Sequence, residues 1–139
     1  MTPCPVMVRC RVQASASELH RVRRCVDDAA AAFGFGSTER YEFVFAVNEA
    51  VTNAIRHGQP FSDGTIGVWI EADEDTLICS VSDGGQFEAG AEDRDAWAEG
   101  GRGLAAMAQV MDEIELCTSS NGTTIRLHKR RSEATEPDD

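Results

Sequence analysis

No stretch of this 139-residue chain is apolar for long enough to span a bilayer. Its first residues, Met1-Thr2-Pro3-Cys4-Pro5, lack the basic start and apolar run of a secretory signal. Those absences read as a cytoplasmic protein with no membrane contact. The cysteines Cys4, Cys10, Cys25, Cys79 and Cys117 are scattered and never form Cys-x-x-Cys, so reduced thiols are expected. His20, His57 and His128 stand at no metal-type spacing to any cysteine, which argues against structural zinc. A surplus of positive charge is missing too. The 13 Lys and Arg against 24 Asp and Glu leave a net charge of -11, the opposite of a surface that grips nucleic-acid phosphates directly. Internal repeats and low-complexity segments are absent.

What is present is the composition of one globular domain, 42% hydrophobic and 27% charged. The expectation is a single domain over 1–130 and a polar, disordered tail over 131–139. Charge is uneven. Arg9, Arg11, Arg21, Arg23 and Arg24 lie before residue 27 with only Glu18 against them, whereas residues 71–99 hold ten acids and Arg94. The acidic stretch reads as a solvated surface or an attraction for a basic partner protein.

Val8, Cys10 and Val12 alternate with Arg9 and Arg11, the pattern of a half-buried strand. Ser15 or Ser17 stands where it can cap a helix with Leu19, Val22, Val26, Ala29 and Phe33 on one face, stopped by Gly34. A second helix, starting near Ser37 or Thr38, carries Phe43, Val44, Phe45, Val47, Ala50, Val51, Ala54 and Ile55. These residues are too many for one stripe, so it is expected to be buried on most sides. Polar Asn48, Glu49 and Asn53 within it need partners. From Thr65 the period becomes two. Strands through Ile66, Val68, Ile70 and through Leu77, Cys79, Val81 are joined at Asp73-Glu74-Asp75, with Trp69 on the sheet. After an acidic loop holding Trp97, a short helix opens at Gly101 with Leu104, Met107, Ala108 and Met111 on its apolar side. Two strands, with Ile114 and Leu116 on one and Ile125 and Leu127 on the other, then turn around Asn121-Gly122. The order implies an α/β two-layer sandwich, a mostly antiparallel sheet with helices packed on one face.

Glu49 and Asn53 are one helical turn apart on one face. A carboxylate there can accept a proton from a hydroxyl, and a neutral carboxamide oxygen can ligate Mg2+ beside a polyphosphate. Asp83 ends a strand before Gly84-Gly85, where backbone can approach a flat ligand and a carboxylate can accept a bond from an exocyclic amine. Gly100-Gly101-Arg102-Gly103-Leu104 puts glycines at a helix start, whose free N–H groups favour phosphate, and the Walker lysine pattern is absent. Taken singly, each has a plainer reading as a helix-surface pair, a turn, or a glycine-rich helix entry.

Taken in order, Glu49-Ala-Val-Thr-Asn53-Ala-Ile-Arg-His57-Gly58, Ser82-Asp83-Gly84-Gly85, Gly101-Arg102-Gly103-Leu104 and Gly122-Thr123-Thr124 resemble the N, G1, G2 and G3 boxes of the GHKL (Bergerat-fold) ATPases, over roughly residues 5–129. The wording of the first box is most similar to the stand-alone anti-sigma-factor serine kinases of the RsbW type. The resemblance implies that Glu49 is a general base, Asn53 ligates Mg2+, Asp83 and Thr124 recognise adenine with Gly85 beside them, and Gly101, Arg102, Gly103 and Leu104 contact the phosphates of ATP. His57 is either a further phosphate contact or a hydrogen-bonded histidine at a helix end. Phe87 stands where the first glycine box has its last glycine, and Glu88–Glu99 corresponds to the lid.

Implied with the family are an anti-sigma factor that sequesters a sigma factor, and a serine kinase that phosphorylates an anti-anti-sigma antagonist. The alternative is a non-catalytic ATP-binding module acting by partner exchange. A third reading, a histidine-kinase-like domain acting on a separate phosphoacceptor, would leave acid-labile phosphohistidine. Arg21, Arg23 and Arg24 form a helix face for a partner protein, for a second protomer of a homodimer, or for solvent.

Overall fold

The alternation around Val8 to Val12 forms strand β1 (Val6–Gln13), with Val12 buried and Val8 and Cys10 packed at the margin of the core. The computed structural model describes residues 6–57, 60–85 and 101–132. Helix α1 (Leu19–Phe33) buries Val22, Val26, Ala29, Ala30 and Phe33, the expected stripe. Its start differs from expectation. Ser15 and Ser17 cap nothing; their hydroxyls bond each other at 2.8 Å over a 3-10 turn, Ala16–Glu18, that leads into the helix. Gly34 closes it, donating its N–H to Ala31 at 3.1 Å.

Helix α2 (Ser37–His57) is the central element. Phe43, Ala46, Val47, Ala50, Val51 and Ala54 are buried against the sheet, α1 and a third helix, which is why its apolar residues overflow one stripe. Strands β2 (Thr65–Asp73) and β3 (Thr76–Asp83) form a hairpin through Glu74 and Asp75, with Glu74 at φ 56. Helix α3 (Gly101–Val110) buries Met107, and Met111 follows it into the core, but Ala108, expected on the apolar side, is exposed. Strands β4 (Glu113–Ser119) and β5 (Gly122–Arg130) complete a five-stranded sheet of order β1-β2-β3-β5-β4, antiparallel throughout. Edge strand β4 is largely exposed, and Leu116 with it.

The result is the expected α/β two-layer sandwich: a sheet, helices on one face, and a core of Ile66, Val68, Ile70, Leu77, Val81, Ile125 and Leu127 beneath α1, α2 and α3. Among the described residues no helix is long and apolar enough to cross a membrane. The first two residues of the expected tail pack on the domain. Arg131 stacks over Phe33 at 4.4 Å and bonds its carbonyl at 2.5 Å, and the Ser132 N–H donates to Glu39 at 2.9 Å. The rest of the expected tail, 133–139, lies outside the described residues.

Candidate nucleotide site

Strand parity decides which side chains meet. Leu77, Cys79, Val81 and Asp83 of β3 point to the helix layer, as do Thr123, Ile125, Leu127 and Lys129 of β5, all of them buried. Asp83 and Thr123 are register partners. The Gly85 N–H donates to Asp83 Oδ1 at 2.7 Å, and Thr123 Oγ1 donates to the Gly85 carbonyl at 2.8 Å. The two side chains thus hold the turn that leaves β3. Thr124, assigned to adenine with Asp83 by resemblance, lies on the opposite face of the sheet, its hydroxyl 2.6 Å from that of Ser82. Thr123 is the threonine that the fold brings to Asp83. A count of alternate residues back from Leu127 and Ile125 already carried that signal.

Two glycines permit close backbone approach here. A Cβ on Gly122, whose φ is +146, would stand 2.2 Å from the Asp83 carbonyl oxygen, and one on Gly84 would stand 2.8 Å from the carbonyl oxygen of Pro60. The segment leaving α2 is therefore pressed onto the Asp83-Gly84 turn. The C-terminal end of α2 and the ends of β3 and β5 share one corner.

Asn53, near that end of α2, is buried at 7% exposure, and its Nδ2 has no hydrogen-bond partner among the described residues. The two ends of a carboxamide exchange by a half-turn, so the site offers either an N–H or a carbonyl oxygen without an internal partner. Glu49, half-buried, makes no hydrogen bond or ion pair among the described residues. Neighbouring Asn48 turns the other way and accepts a bond from Arg23 at 3.4 Å.

The start of α3 reaches the same level. Buried Lys129 bonds the carbonyl of Val110, the last residue of α3, at 2.5 Å and Glu42 near the start of α2 at 3.0 Å. The two helices pack together, and α3 ends at the end of the sheet where β4 begins, far from Asp83. Ten residues of helix rise about 15 Å, and ten residues beyond Glu42 on α2 is Thr52. Gly101 thus begins α3 about level with Asn53. The backbone of Gly101, Arg102, Gly103 and Leu104 is helical; their side chains, and that of His57, lie outside the described residues, as do Phe87, the lid over Glu88–Glu99 and Trp97.

Cys10, Cys25, Cys79 and Cys117 are free thiols. Burial pushes the Cys79 thiol far above the ordinary range and raises that of Cys10, which disfavours the thiolate at both.

The corner combines a braced carboxylate, a buried carboxamide whose Nδ2 is unpartnered among the described residues with a carboxylate one turn before it, and a glycine-rich helix start. That chemistry is of the kind that suits a base at one end and a polyphosphate at the other. Known proteins share the framework. The chain is 30% identical over 138 residues to the serine-protein kinase RsbW of Bacillus pumilus strain SAFR-032, covering 88% of this chain and 85% of that protein. It is 29% identical over 136 residues to that of Staphylococcus aureus strain JH9, with the same 88% and 85% coverage. A crystal structure of the RsbU and RsbW domains of a Mycobacterium tuberculosis protein superposes with a TM-score of 0.69 at 26% identity, over 93% of this chain and 32% of the longer one. The family model for the histidine kinase-like ATPase domain matches residues 12–129, and to that family this chain belongs.

Proposed function

We propose that this chain is an ATP-dependent protein serine kinase and anti-sigma factor, sequestering a sigma factor and phosphorylating an anti-anti-sigma antagonist. The observation that carries the reading is Asn53, buried one helical turn from Glu49 with its Nδ2 unpartnered among the described residues. An orphaned polar group in a core costs about 1–3 kcal/mol, which a ligand repays. The names of the RsbW relatives support the kinase class.

In this reading Asp83 accepts the exocyclic amine of adenine, and Thr123, which shares the Gly85 turn with it, positions that edge. Thr124 takes no part from the other face of the sheet. The N–H groups of Gly101, Arg102, Gly103 and Leu104 face the phosphates, with His57 a further contact. The donor set fits Mg2+, because a neutral carboxamide oxygen on Asn53 is the hard ligand that metal takes beside phosphate oxygens. When bound, Mg2+ supplies charge neutralisation to the phosphates. Glu49 takes the proton of the antagonist's serine hydroxyl as that oxygen bonds the γ-phosphorus and the bond to the β-phosphate oxygen breaks, releasing ADP.

The test is incubation of the purified protein with labelled ATP, Mg2+ and the candidate antagonist. Phosphoserine should form, and Glu49→Ala should abolish transfer while ATP still binds. Binding without transfer to any partner would sink the kinase and leave the non-catalytic module acting by partner exchange.

A further inference from the structure

Helices α1 and α2 leave a groove of about 660 Å³ between them, the size of an ordinary ligand cleft. Arg23 and Arg24 line it from α1, and Arg40, Tyr41, Val44 and Phe45 from α2. Val44 packs on the core and Phe45 is half-buried, but Tyr41 is 71% exposed, more than any other large hydrophobic side chain among the described residues. An aromatic ring left in water beside other apolar groups marks a surface for contact.

The groove is positive. Asp27, which also lines it, is committed to Arg40 by two bonds of 2.6 and 3.0 Å. Arg23 reaches only Asn48, at 3.4 Å, and Arg24 has no hydrogen-bond or ion-pair partner among the described residues. The charges of Arg23 and Arg24 are therefore left over.

The chain itself passes one end of this groove. Beyond β5, Arg131 stacks over Phe33, the last residue of α1, at 4.4 Å, and the Ser132 N–H donates to Glu39 in the first turn of α2 at 2.9 Å. Ser37 and Arg40, at the near end of the groove, flank Glu39 on that helix. After Ser132 the sequence reads Glu133-Ala134-Thr135-Glu136-Pro137-Asp138-Asp139, in which every charged residue is an acid. From Ser37 to Asn48 the groove follows α2 for about three turns, a rise of about 16 Å. A segment the length of 133–139 reaches up to about 23–25 Å when extended, enough to run the whole groove.

We propose that the groove between α1 and α2 is the docking site of the chain's own acidic segment, Glu133–Asp139, bound in cis. Its carboxylates meet the guanidinium groups of Arg23 and Arg24, and Pro137 packs on the Tyr41 ring, as proline does in aromatic-lined peptide grooves. Seated there, the segment covers Tyr41 and neutralises the basic face of α1. An acidic partner protein that uses those arginines must first displace it. The proposal does not rest on the kinase reading of the nucleotide site.

Tyr41 is the one tyrosine of the chain, so protein made with fluorotyrosine gives a single fluorine resonance, at the groove. Removal of 133–139 should shift that resonance and open it to broadening by a soluble gadolinium chelate. A synthetic peptide of residues 133–139 added to the truncated chain should reverse both changes, with a Kd below about 1 mM, the effective concentration that a short link supplies. The same peptide with Gln and Asn in place of its acids should bind at least about tenfold more weakly. Arg23→Glu/Arg24→Glu in the full chain should give the spectrum of the truncated one. The difference between full and truncated chains should be the same at about 10 and about 500 µM protein, as a contact in cis requires. A resonance unchanged by truncation, a peptide that does not bind by about 10 mM, an uncharged peptide that binds as well, or a difference present only at the higher protein concentration would each overturn the proposal. If the arginine variant lacks native circular dichroism, Glu133→Gln, Glu136→Gln, Asp138→Asn and Asp139→Asn together in the full chain decide, and a resonance left at the parental position overturns it.

Discussion

Asp83 and Thr123 face each other across β3 and β5 and grip the same residue: the Asp83 carboxylate takes the Gly85 N–H at 2.7 Å, and the Thr123 hydroxyl donates to the Gly85 carbonyl at 2.8 Å. This brace fixes the strand end, and it separates two adjacent threonines onto opposite faces of the sheet.

Thr123→Val should weaken ATP binding by about tenfold, the worth of one lost hydrogen bond that leaves a partner exposed. Thr124→Val, whose hydroxyl meets only Ser82 on the far face, should change it by less than about twofold. Titration calorimetry with ATP and Mg2+ decides. The opposite order would move the adenine edge to the other side of the sheet.

Asn53→Ala removes the buried amide whose Nδ2 has no partner among the described residues. Without nucleotide the variant should unfold within about 1 kcal/mol of the parent, because the lost packing is offset by the removed orphan. The rise in Tm that ATP and Mg2+ give the parent should vanish, read by thermal unfolding with and without both. A large loss of stability in the free protein would show that Asn53 serves the fold instead.

Lys129 joins Glu42 of α2 to the last carbonyl of α3 from a buried position. Lys129→Met keeps most of the apolar stem but strands both partners, and should cost about 2 kcal/mol by urea unfolding. Adding Glu42→Gln should recover part of that loss, since the unpaired carboxylate is then gone.

Arg40 donates twice to Asp27, at 2.6 and 3.0 Å, tying α2 to α1 and holding the Asp27 carboxyl below its ordinary 3.8. A depressed carboxyl stabilises the fold while ionised, and that contribution is lost as pH falls through its folded value. The stability gap between the parent and Asp27→Asn should be full well above the ordinary 3.8 and narrow as pH falls below it through the lowered folded value. It should be modest and shrink with salt, because the pair is well exposed. Urea midpoints well above and well below that pH, with and without added NaCl, check this.

Much of this protein follows from sequence periodicity alone. Alternation in β1, β2, β3 and β5 and the stripes of α1 and α2 reflect which side of each element must leave water, and that is a local property. The overfilled apolar surface of α2 likewise announced a helix packed on several sides, and the polar Asn53 within it is buried with its Nδ2 unpartnered among the described residues. Tertiary structure decided what pairing and packing decide. Ser15 and Ser17 have the chemistry of helix caps yet bond each other, because a 3-10 turn intervenes before the helix. Arg131 and Ser132 look like tail but are held by Phe33 and Glu39, partners nearly a hundred residues away. Thr124 matches a motif by position, but a strand turns successive side chains to opposite faces, so Thr123 reaches Asp83 instead. A motif records the order of residues along the chain; only the pleat of the sheet and the register between strands determine which of two neighbours faces Asp83.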